Sequence, residues 1–280
     1  MKHKSIVHVF DAMPTSDGAG VNLSRAIGQP KLRHADPFLM LDEIRSDQPN
    51  DYIAGFPPHP HKGFETISYM LTGSMAHKDS TGGEGIIGSG GVQYMTAGRG
   101  IIHSELPQQE SGLLWGFQLW VNLPAKDKLQ SPKYKDISQE YIPTVQLSVG
   151  ANAKVIAGGT EVFGLKGPIE RPDIDMQMFD ISTSQSASQQ LELSNELQGF
   201  LYVYKGHLNV NGYRVNSQQV ATFQEGELLE ITTEQNTGYL LLAGRPIREP
   251  IVQYGPFVMN TQAEIEEAIR DYQAGTFVTG

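Results

Sequence analysis

Two short stretches of the chain carry metal-ligating residue types at strand spacing. "FPPHPHKGFE" sets His59 and His61 two residues apart, and "GRGIIHSE" sets His103 and Glu105 at the same interval. In a β-strand, side chains at i and i+2 point to the same face. Each pair can therefore aim both groups at one point, and two such pairs on neighbouring strands of a barrel converge on its interior. Three imidazoles and a carboxylate form an N/O donor set suited to Fe(II), Mn, Ni, Cu or Zn, with positions open for water, dioxygen or substrate. A lone His-x-His is ordinarily a chance surface pair. The second pair argues for a site, as does the scatter of His3, His8, His34, His77 and His207 outside any such spacing.

The elements that must position these residues are strands. The 280 residues include 30 glycines and 16 prolines, many of them between short apolar runs, and 39% are hydrophobic. That pattern favours an all-β chain with many turns and a sizeable core. Residues 64–122 read as successive strands, "FETISYML", "GSMAHKD", "GGVQYMTA", "GIIHSE" and "LLWGFQLWVNL", separated by Gly and Ser clusters. Residues 125–144 are polar and read as a linker. Strands resume with "VQLSVG", "AKVIAGG" and "MQMFDISTS". The expected domains are 1–124, holding the metal ligands, and 145–280, without them. One helix is expected at about 261–274, with a capping box from Thr261 to Glu264, a stripe of Ile265, Ala268, Ile269 and Tyr272, and Gly275 as its stop. Core packing is the expected use of that stripe.

The two halves repeat weakly. "ISYMLTGSMAHKD" (67–79) aligns with "FLYVYKGHLNVNG" (200–212), and "VQYMTAGRGIIHSE" (92–105) with "VATFQEGELLEITT" (220–233), bringing Gly98 over Gly226. Two copies of one small β-barrel explain this economically. In that alignment His59 and His61 fall over Glu192 and Ser194, and His103 and Glu105 over Ile231 and Thr233. The second copy keeps the scaffold pattern without the ligands, so one metal per chain is expected.

Several functions are disfavoured. The absence of cysteine removes disulfides, thiolate metal sites, Fe–S clusters and Cys nucleophiles. A net charge of −10 without a basic cluster argues against direct nucleic-acid binding, and leaves a protein partner open. The amino terminus lacks a signal-peptide core, and "GLLWGFQLWVNL" is too short to span a bilayer, so a cytoplasmic protein with no membrane partner is expected. Gly98 and Gly100 read as turn glycines, with no helix start after them to bind phosphate. Ser104, between two proposed ligands, faces away from them. Phe56, Phe64, Met95, Trp115 and Phe117 are candidates for a pocket wall, against the plainer reading of core.

The pattern Gly55-x3-His-x-His-x3-Glu-x7-Gly73, followed by a later glycine-rich turn and His, resembles the cupin motifs. More narrowly, "FPPHPHKGFETISYMLTGSMAHKDS", "QYMTAGRGIIHSE", "GFQLWVNLP" and "GPFVMNT" resemble the pirin family over nearly the whole chain. The resemblance implies a bicupin, two cupin-type barrels packed together, with Fe(II) in the first of them and Ni, Mn, Cu, Co or Zn as alternatives. It carries the ligand roles to His59, His61, His103 and Glu105. Glu65, a ligand at this place in many cupins, becomes a residue that orients a ligand histidine or a bound water. The implied activity is that of a quercetin 2,3-dioxygenase acting on a flavonol, with Glu105 or Glu65 as proton acceptor. The alternative is an iron-dependent, redox-sensing regulator that acts through protein contacts. A storage-type or scaffold bicupin is the plainest reading.

Overall fold

The computed structural model describes residues 1–278. The chain forms two compact units, each assembled from separate segments. The histidine unit contains residues 14–25, 38–139 and the chain from Ile247 onward, and the second unit contains residues 1–13, 26–37 and 140–246. Among the described residues, no helix is long and apolar enough to cross a membrane.

Each unit is built from a seven-stranded and a four-stranded sheet with antiparallel ladders. In the histidine unit the larger sheet runs in the order Lys133–Ile137, Val92–Thr96, Phe64–Thr72, Leu114–Asn122, Phe38–Ser46, Val21–Ile27 and Met13–Asp17. The smaller runs Phe56–His61, Ile101–Pro107, Met75–Asp79 and Glu84–Ile87. The Phe64–Thr72 strand is buried on both faces over Phe64–Met70, with Glu65, Thr66 and Ser68 interspersed among its apolar residues. The second unit repeats the layout. Its larger sheet is Ser5–Asp11, Gln219–Gln224, Gln198–Lys205, Thr237–Gly244, Gln177–Thr183, Ala151–Ala157 and Thr144–Ser148. Its smaller sheet is Ala187–Glu192, Leu228–Thr233, His207–Val210 and Tyr213–Asn216. The all-β, two-barrel expectation is the fold observed.

The chain ends are distributed differently from the expected domains. The segment read as a linker supplies the edge strand Lys133–Ile137 of the histidine unit, paired with Val92–Thr96 from Lys133↔Thr96 to Ile137↔Val92. The corresponding edge of the second unit is the amino-terminal strand Ser5–Asp11. The carboxy-terminal helix, Gln262–Ala274, belongs to the histidine unit and packs Ile265 and Ala268 against Phe257, Met259 and Phe277. Its Thr261–Glu264 capping box and left-handed Gly275 stop are as the sequence reads them, while Tyr272 is largely exposed.

That tail reaches the chain just after His61. The Val258 amide donates to the Lys62 carbonyl at 3.0 Å, and the Lys62 amide to Pro256 at 3.2 Å. Gly63 has φ +88°, and a Cβ there would collide with the Val258 carbonyl, so this turn needs glycine twice over. The buried Lys128 ammonium closes the joint, donating to the carbonyls of Gly63 (2.7 Å) and Val258 (3.0 Å) and to Asn122 Oδ1 (2.7 Å). Burial pushes its pKa down to about 8, opposed by the charges of Glu249 and Glu264.

Candidate metal centre

The ladder that joins the ligand strands pairs His103 with His59 and Ile101 with His61. A shift in register between His103 and Glu105 brings Glu105 opposite Phe56. Cross-strand neighbours in an antiparallel pair share a face, so the three imidazoles meet on the inner side of the smaller sheet. One ring nitrogen from each of His59, His61 and His103 lies within 4.8 Å of the others. Ring centroids stand 4.5 Å apart for His59 and His103, 4.6 Å for His59 and His61, and 4.9 Å for His61 and His103.

The far side of each ring is partly held. His59 Nδ1 donates to the Pro57 carbonyl at 2.8 Å, which leaves its Nε2 with a lone pair, 3.0 Å from His61 Nε2. His103 Nδ1 meets the Tyr134 hydroxyl at 2.8 Å, and its Nε2 is buried with no hydrogen-bond partner. His61 is walled by Phe64 and Trp120, which stack on each other with centroids 4.2 Å apart.

Burial keeps two of these rings neutral. It holds His61 well below the ordinary histidine range, helped by His103 and His59 and opposed by the Pro256 carbonyl. It pushes His103 down to about 4, with Glu105 and Asp79 opposing and His59 and His77 adding. A divalent metal needs neutral imidazoles whose nitrogens converge, and here the Nε2 atoms of His59 and His61 meet each other while that of His103 is buried without a partner. The donor set fits such an ion.

Two family models match the chain, "Pirin" over residues 20–121 and "Pirin C-terminal cupin domain" over 178–278. A Pseudomonas aeruginosa protein provisionally named a quercetin 2,3-dioxygenase is 45% identical over 279 residues, covering 98% of each chain. The chain belongs to the pirin family. A Caulobacter vibrioides pirin-like protein is 43% identical over 277 residues, covering 99% of this pirin and 100% of its own length. The crystal structure of a quercetin 2,3-dioxygenase from Acinetobacter baumannii superposes with a TM-score of 0.91 at 34% identity, covering 98% of both chains.

The two glutamates of this pirin differ in placement. Glu105 faces the barrel interior but stands outside the group of mutually close ring nitrogens. Its Oε1 accepts from Ser68 at 3.1 Å and its Oε2 from Gln118 at 2.8 Å, which ties the smaller sheet to the larger across the interior. Glu65 accepts from Tyr94 (2.7 Å) and Thr96 (2.8 Å) through Oε1. The ladders on both sides of the Phe64–Thr72 strand are regular from Glu65 to Ser68, so Glu65 lies on the opposite face from Ser68 and the Glu105 carboxylate. The turn at Lys62-Gly63 breaks the period between His61 and Glu65, which spacing alone does not reveal.

Phe56 and Phe117 line a narrow cavity beside Glu105, together with Ile44, Met70, Met75 and Leu114. Its volume, about 10 Å³, is roughly the space of one water. Phe64 walls His61, whereas Met95 packs with Ala97, Ile101 and Tyr134. Trp115 turns to Glu43, donating at 2.6 Å. Tyr134 went unnoticed in the sequence because "KYKDI" sits in a polar stretch. Its only local signal is the i, i+2 pairing of Tyr134 with Asp136.

Proposed function

We propose that this pirin is a metal-dependent dioxygenase of the quercetin 2,3-dioxygenase type, opening the ring of a flavonol with dioxygen. The observation that carries the reading is the convergence of three imidazoles, one with a buried unpartnered Nε2, beside a carboxylate held from two sides. The names of the Pseudomonas and Acinetobacter relatives support it.

In this reading His59, His61 and His103 hold the ion, Fe(II) in this proposal, with Glu105 as the fourth donor that family resemblance assigns. The ion supplies Lewis acidity, lowering the pKa of a coordinated hydroxyl. The chain does the rest. Ser68 and Gln118 fix the Glu105 carboxylate, which retains lone pairs to accept the flavonol hydroxyl proton. Glu105 is preferred to Glu65 for this because it shares the interior with the imidazoles. Apolar walls suit a flat aromatic ligand and exclude water. The cavity, lined by Glu105 but by none of the three histidines, has room for about one water, and a flavonol requires Phe56 and the flexible Met70 and Met75 to move aside. Both atoms of dioxygen enter the ring-opened ester, and one ring carbon leaves as carbon monoxide.

Dioxygen uptake with quercetin, on Fe(II)-loaded protein and on His61→Ala, tests this. Multiple turnovers with carbon monoxide release are expected from the wild type alone. No uptake at one bound ion per chain would reject the activity on quercetin and favour an iron-dependent regulator acting through protein contacts.

A further inference from the structure

We infer that Tyr134 is a positioning residue of the metal centre: its hydroxyl fixes the ring orientation and tautomer of His103, and His77 and Asp136 hold it there. This rests on the metal reading above and extends it to a strand outside the ligand motifs.

A histidine that ligates through one ring nitrogen presents the other to a partner, and that partner decides which nitrogen is free. For His103 the partner is the Tyr134 hydroxyl, 2.8 Å from Nδ1. With a metal on Nε2, Nδ1 carries the proton and donates to the phenol oxygen; a hydroxyl can accept as well as donate.

The ring itself is clamped. Tyr134 stacks on His77 with centroids 4.9 Å apart and planes 9° from parallel. His77, almost wholly buried, presents Nε2 to Asp136 Oδ2 at 2.8 Å. Asp136 is two residues beyond Tyr134 on the same edge strand and so on the same face, and Gln93 reaches its other oxygen at 3.4 Å. Gly85 makes room for this pair, since a Cβ there would run into the Asp136 carboxylate and the His77 ring. The result is a continuous path, Asp136 to His77 to Tyr134 to His103, alternating between the larger sheet and the smaller and ending at the smaller. Packing alone would be served equally well by phenylalanine, which would leave Nδ1 of a buried histidine without its partner.

The test is a cobalt(II) and zinc(II) titration of the metal-free full chain against a competing chelator, with the cobalt absorption spectrum recorded. Tyr134→Phe is expected to weaken zinc binding about 10–100-fold and to alter the cobalt bands, while the metal-free protein still unfolds cooperatively in urea. Asp136→Asn is expected to weaken binding several-fold in the same direction. Affinity within twofold of wild type, with an unchanged cobalt spectrum, would overturn the role of Tyr134. Should Tyr134→Phe fail to fold, Asp136→Asn carries the test, and unchanged affinity there overturns the path. Wild-type protein that takes up no cobalt would overturn the metal centre and this role with it.

Discussion

In the histidine unit, the strands Phe56–His61 and Ile101–Pro107 face the interior with His59, His61, His103 and Glu105. In the second unit, the strands at the same places in the sheet order are Ala187–Glu192 and Leu228–Thr233, and their interior carries Leu191, Leu229 and Ile231, with Leu193 just beyond. Glu192 and Ser194, which the sequence alignment set opposite His59 and His61, are exposed; the inward face is one residue out of step with that alignment. Gln189 and Thr233 are the polar exceptions, Gln189 accepting from the Tyr239 hydroxyl at 2.6 Å and Thr233 donating to the Ala187 carbonyl at 3.4 Å.

What the two units share is how the edge strand is attached. Lys4 precedes the edge strand Ser5–Asp11 and donates to the carbonyls of Leu197 (2.7 Å), Gly226 (2.8 Å) and Ser194 (3.1 Å). Lys128 precedes the edge strand Lys133–Ile137 and does the same work at Gly63 and Val258. Burial brings both ammonium groups down to about 8. Gly226 and Gly98, aligned by the repeat, both have positive φ and both press against the lead-in to their edge strand, at His3 and Gln130. The joint is where the backbone approaches too closely for any side chain, so it resists change. The interior needs only the right volume, and imidazoles can stand there in place of leucines.

Leu229→Ala gives the sharpest break between the units. Leu229 is fully buried in the apolar core of the second unit. Truncation is expected to cost about 2–5 kcal/mol, read as a lower urea midpoint of metal-free protein, with zinc affinity unchanged. A parallel fall in affinity would show that the second core supports the metal centre.

A pH dependence of slightly smaller size is expected from the histidine unit alone. His103 sits at about 4 in the fold against 6.5 in the unfolded chain. Between those values the unfolded chain binds more protons, so stability is present above about pH 6.5 and lost as pH falls toward 4. The amount is on the order of 3 kcal/mol for the metal-free protein. Urea midpoints at pH 7.5 and 4.5 measure it, and His103→Leu should flatten the profile in part, leaving the contribution of His61, which burial also holds low. A flat wild-type profile would mean that water reaches these rings.

The smallest contrast lies within the histidine unit. Glu105→Gln is expected to lower zinc affinity about tenfold or more, and Glu65→Gln far less, because the two carboxylates occupy opposite faces of the larger sheet's inner strand. Equal losses in a metal titration would return Glu65 to the site.

The three histidines could be read from the sequence because strand periodicity is local: His59 with His61, and His103 across one ladder, need only an i, i+2 rule and one pairing to meet. The barrels could be read because glycine turns punctuate apolar runs. Tyr134 and the domain limits could not. An edge strand has one exposed flank and is correspondingly polar, so "KYKDI" resembles a linker until its partner strand is known. The placement of Ser5–Asp11 and of the Phe257–Ala274 tail depends on pairings made across much of the chain, which no window of sequence contains.

The edge strands and the tail constrain how such a gene can change. Severing the chain between residues 139 and 140 would leave the first piece without the Val258 carbonyl and amide that secure the turn after His61. It would leave the second without Lys4 and the Ser5–Asp11 strand. Neither half of a split gene encodes a whole barrel. A lineage that inherits this arrangement can neither shed its leucine-filled copy nor lend its histidine-bearing copy to another protein as a transferable module, and the duplicated barrels persist or vanish together.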